Sequence, residues 1–137
     1  MADAPVAEPK NLAEAIDTVE AAYEFMLAYA AQGRRTEDES GGSGVRDYLK
    51  RASAALAYIA NVTSIDGSLS PSAGKPLNEF LDLVKADARK AATVINFALA
   101  QRSIGSQMAD NMNATIHIRT LLTDLFLLDE ALKISGL

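Results

Sequence analysis

Four stretches of this chain place apolar residues at alternating intervals of four and three: Leu12, Ile16, Val19, Tyr23, Met26, Ala30; Val45, Leu49, Ala52, Leu56, Ile59; Leu77, Leu81, Val84, Ala88, Ala91, Ile95, Ala98; and Ala114, Ile118, Leu121, Leu125, Leu128, Leu132. That alternation sets each group on one stripe of an α-helix, whereas a half-buried strand would need an interval of two. A striped helix is stable only when its stripe is covered. The pattern therefore predicts an all-α fold, an antiparallel up-down four-helix bundle over residues 11–137, preceded by a mobile tail at residues 1–10.

Local signals place the boundaries. Asn11 is a good N-cap, with Glu14 three residues on as in a capping box, and Gly33 suits the residue after the helix. Arg34 to Gly44 has no apolar anchor and is expected to be a mobile loop. The second helix is expected from Val45 to Ser64 or Ile65, ended by Gly67, with a Ser-, Gly- and Pro-rich loop to Lys75. Pro76 fits the first turn of the third helix, which should extend to about Arg102. Gly105 marks either a turn or a kink in one long C-terminal helix. A turn is favoured, with the fourth helix then covering Ser106 to Ile134.

Composition excludes several chemistries. The chain has no cysteine, so disulfides, thiolate metal sites and a catalytic thiol are absent. Its 137 residues are 49% hydrophobic, enough for a core without metal or cross-link. No run approaches the roughly 20 uncharged apolar residues that span a bilayer, and the first ten residues lack the basic and apolar regions of a signal peptide. A cytoplasmic protein without membrane association is expected. The net charge of −5 argues against nucleic acid as a partner. The charge is uneven: residues 1–44 hold nine acids against three bases, and residues 45–137 nine against ten.

The lone histidine, His117, belongs to a polar stripe with Ser106, Asp110, Asn113, Thr120 and Asp124. Turned inward, Asp110, Asn113 and His117 would line a small-molecule site; turned outward, they are the solvated side of a helix, the favoured reading. No Glu-x-x-His pair, Gly-x-Ser-x-Gly elbow or glycine-rich nucleotide loop occurs, so no catalytic residue, metal or cofactor is predicted.

An up-down bundle would gather Arg34, Arg35, Arg46, Lys50, Arg51 and Arg102 at one pole. Arg46, Lys50 and Arg51 lie near a helix N-terminus, where the dipole disfavours cations. The first five of these residues could dock an acidic segment or a phosphate, against internal neutralisation by Glu37, Asp38, Glu39 and Asp47. Apolar residues outside the main stripes, namely Phe25, Tyr29, Leu122, Phe126 and Leu127, suggest a homodimer interface on the first and last helices. The sequence thus points to a non-enzymatic accessory or regulatory bundle acting through a protein partner. One alternative is a small-molecule binding bundle. The other is an all-α enzyme clamping an anion with arginines, which the lack of any basic residue in residues 11–33 disfavours.

Overall fold

A computed structural model of the chain describes residues 6–37, 44–63 and 74–134. Those residues form five helices and no strand: α1 Leu12–Ala30, α2 Val45–Ala60, α3 Gly74–Leu99, α4 Ser106–Ala114 and α5 Ile116–Ile134. The all-helical class is as expected; the count of four is not. Residues 1–5 of the expected tail lie outside the described residues, and Pro9 within it is buried.

Asn11 caps α1, its Oδ1 accepting from the Glu14 N–H at 2.8 Å. The helix closes in tightened turns, with Ala31 donating to the Ala28 carbonyl and Gln32 to that of Tyr29, before Gly33 turns at φ +67°. α2 stops at Ala60, short of the expected Ser64, where Arg89 of α3 donates to the Ala60 carbonyl at 3.1 Å. Gly67 and the loop to residue 73 lie outside the described residues, and Pro76 sits in the first turn of α3. α3 ends at Leu99 rather than Arg102, because Arg46 takes the Leu99 and Gln101 carbonyls at 2.8 and 2.5 Å. An arginine thus satisfies terminal carbonyls of each neighbour, where the helix dipole also favours a cation. The bridges Arg46–Leu99, Ser53–Asn96 and Arg89–Ala60 run in opposite sequence directions, so α2 and α3 are antiparallel.

The expected fourth helix is two helices. Thr115 is extended (φ −64°, ψ 141°), and its Oγ1 accepts from the His117 N–H at 3.0 Å. This hydroxyl starts α5 as an N-cap, offering the backbone an alternative to continued helix. Burial phase explains why the break is needed. α4 buries Ala109, Met112 and Asn113; a continuous helix would carry Ile116 and Thr120 inward after them. α5 instead buries Ile118, Leu121, Leu122 and Leu125, and Ile116 stands 70% exposed.

α1 packs against α2 and α4, and α3 against α2 and α5, so the two C-terminal helices are divided between different neighbours. Ile16, Leu49, Leu56, Ile59, Val84, Leu121 and Leu125 of these helices meet in one apolar core. Buried alanines, Ala52 and Ala55 of α2 and Ala88 and Ala91 of α3, let those two helices approach closely.

Candidate functional site

Arg46, the central charge of the expected basic pole, is used within the fold. Glu37 lies between three groups. Its N–H donates to Ser103 Oγ at 2.9 Å, its Oε1 accepts from the Ile104 N–H at 2.7 Å, and its Oε2 accepts from Arg46 Nε at 2.9 Å. Beside it, Ser106 Oγ donates to the Tyr29 carbonyl at 2.7 Å and accepts from the Arg34 N–H at 2.8 Å, while the Ser106 N–H donates to the Arg34 carbonyl. Arg34 to Glu37, expected to be mobile, is therefore pinned by polar bonds rather than by an apolar anchor; residues 38–43 lie outside the described ones. Arg51 is held by Asp47 at 2.6 Å and lies over the Tyr48 ring at 4.5 Å. Arg34 donates to Gln32 and Arg35 is exposed; Lys50 is partly buried. Arg34 and Arg35 border one cleft with Ser103 and Asp110, whereas Arg51 borders Glu14, Asp17 and Thr18 of α1, so Arg34, Arg35, Arg46, Lys50 and Arg51 do not form one anion cradle.

The polar trio is not brought together. Asp110 is exposed, Asn113 is buried, and His117 is exposed beyond the break at Thr115. Asn113 Nδ2 has no hydrogen-bond partner and borders a central cavity of about 30 Å³ walled by Val19, Met26, Leu49, Ile95 and Leu121. That is room for a water molecule, not for an organic ligand.

The expected interface residues divide. Phe25 stacks on Tyr48 at 4.2 Å between ring centroids. Tyr29 is buried, its hydroxyl donating to the Ile104 carbonyl at 2.6 Å, and Leu122 is buried too. These three serve the monomer's own packing. Phe126 and Leu127 are exposed, at 54% and 58%.

Sequence reasoning passed over one polar pair. Asp124 of α5 and Asp87 of α3 are both buried, with a side-chain hydrogen bond between them, and Asp124 Oδ2 has no partner. Burial, then that hydrogen bond and the charge of Asp87, push the Asp124 carboxyl up to about 7. A signal was present, since Val84, Asp87 and Ala91 follow the spacing of the buried stripe. Glu20 of α1 is also raised, first by burial and then by Asp129 of α5.

No family model, curated protein or solved structure matches this chain.

Among the described residues, no group of three or more His, Cys, Asp or Glu is placed to hold a metal ion, and no helix is long and apolar enough to cross a membrane. Of seven large hydrophobic residues exposed among the described residues, six lie on the adjacent helices α3 and α5: Leu83, Phe97, Ile116, Phe126, Leu127 and Ile134. The phase shift at Thr115 is what turns Ile116 outward onto this face. Scattered exposed leucines are ordinary, but a concentration on two neighbouring helices marks a surface built to be covered.

Proposed function

We propose that this chain is a non-enzymatic, cytoplasmic accessory or regulatory bundle that acts through protein–protein association, using the outer face of α5 and the adjoining edge of α3. The observation that carries this reading is the exposure of Ile116, Leu127 and Ile134 on one stripe of α5, outside the apolar core. Burying such side chains stabilises by roughly 1.5–3 kcal/mol each, enough for a few of them to anchor a complex.

The geometry gives less support to the other readings. A ligand site built on Asp110, Asn113 and His117 lacks a shared face, since Asp110 and His117 are exposed while Asn113 is buried beside the cavity of about 30 Å³. An arginine clamp on an anionic substrate could not draw on Arg46, whose guanidinium already holds Glu37 and two carbonyls.

Placing a photo-crosslinking amino acid at position 127 in the native cell tests the proposal. Covalent protein adducts should form from position 127 and not from Asp17, an exposed site on α1. Equal yields from both positions, or none from 127, would remove the association face.

A further inference from the structure

We infer that the outer stripe of α5 pairs with the α5 of a second copy of this chain, antiparallel, about a two-fold axis level with Leu125. This rests on the association reading above and names its partner. The stripe consists of Ile116, Thr120, Thr123, Leu127, Glu130 and Ile134, all exposed. Their intervals are four, three, four, three and four, the spacing of a helix–helix seam, and this one is uncovered within the monomer. Over the 19 residues of α5 the seam is about 28 Å long.

Charge layout selects the occupant and its direction. Arg119 flanks the seam near its start and Glu130 lies on it near its end. In the antiparallel arrangement, Ile116 of one copy meets Ile134 of the other and Thr123 meets Leu127. Arg119 then falls beside the other copy's Glu130, and the two-fold axis makes this pairing twice. A parallel pairing would instead set Glu130 against Glu130 and Arg119 against Arg119, which like-charge repulsion disfavours. Lys133, one turn from Glu130, is paired with Asp129 at 3.0 Å on its own helix. Phe126 lies on the same flank as Arg119 and adds apolar area at the rim.

Sedimentation equilibrium of the full chain at low salt, from micromolar to submillimolar concentration, tests the pairing. The wild type should dimerise. Leu127→Glu should weaken the dimer by about a hundredfold or more without changing helicity by circular dichroism. Arg119→Glu and Glu130→Arg should each weaken it by roughly tenfold, and the double variant should recover most of that loss, since each reversed charge again meets its opposite. A double variant no better than either single one overturns the antiparallel register. A wild type that stays monomeric overturns the second copy as occupant; position 127 crosslinking to a different protein would then leave the association reading standing.

Discussion

The carboxyl of Asp124 hydrogen-bonds that of Asp87 where α5 meets α3, both side chains withdrawn from solvent. Burial and the neighbouring Asp87 disfavour the charged form of Asp124, which retains its proton well above the usual carboxylate range. Leu127 lies one turn beyond Asp124 and Leu83 one turn before Asp87, so the pair sits under the exposed apolar face.

Replacing Asp124 with Asn should therefore stabilise the protein at pH 8. Folding raises the Asp124 carboxyl from its ordinary 3.8 to about 7. Below 3.8 the group is protonated in both folded and unfolded chains, and its burial carries no ionisation penalty. As pH rises through this window the unfolded chain releases the proton first, so the native state loses stability until about pH 7 and stays lower above it. An amide cannot ionise. Urea denaturation should show Asp124→Asn ahead of wild type at pH 8 by on the order of 2–4 kcal/mol, with the difference closing by about pH 4.

Arg46 supplies the second prediction. Its guanidinium engages Glu37 and the carbonyls of Leu99 and Gln101 in one fork. Arg46→Ala should cost about 2–3 kcal/mol in chemical denaturation, since it orphans part-buried oxygens at a helix end. Arg46→Lys should recover less than half of this, because a single ammonium cannot reach all three acceptors in the planar geometry.

Helix stripes, the Asn11 cap and the turn at Gly105 were legible because each rests on neighbours in sequence. The division of α4 from α5 was less so. Apolar spacing from Ile118 onward suited a helix in either case, and the conflict lay in phase, with Ile116 and Thr120 in line with Ala109 and Met112 and yet left outside. Thr115, a residue that caps as readily as it continues, was the local sign. The partners of Arg46 could not be read, since they include backbone carbonyls brought in from the end of another helix. Asp87 stood on a buried stripe in the sequence, but its pairing with Asp124 depends on how α5 is rotated, which the break at Thr115 sets.

Gly105 is fixed by proximity rather than by backbone conformation. Its φ is an ordinary −90°, yet a Cβ there would lie 2.6 Å from the Arg35 carbonyl oxygen and 3.0 Å from that of Arg34. Gly105→Ala should push these strands of backbone apart, weakening the Ser106–Arg34 bonds, and cost about 2 kcal/mol or more. Gly33→Ala has open space around it and pays only for its positive φ, about 1 kcal/mol. Paired thermal denaturation of the two variants should place Gly105→Ala clearly lower.

The last prediction concerns Asn113, a buried amide that the described residues leave without a partner. Asn113 Nδ2 borders the central cavity without a protein partner. A buried amide left unpaired costs about 1–3 kcal/mol, and a side chain of the same branched shape without polar atoms removes that penalty and fills part of the adjoining space. The walls here are aliphatic, including Val19, Leu49 and Ile95, so leucine meets them with dispersion contacts instead of an unmet donor. Asn113→Leu should raise stability by about 1–2 kcal/mol in urea denaturation, with helicity unchanged. A loss of stability would instead show that a resident water completes the Asn113 amide, and that the cavity is a hydrated site the fold depends on.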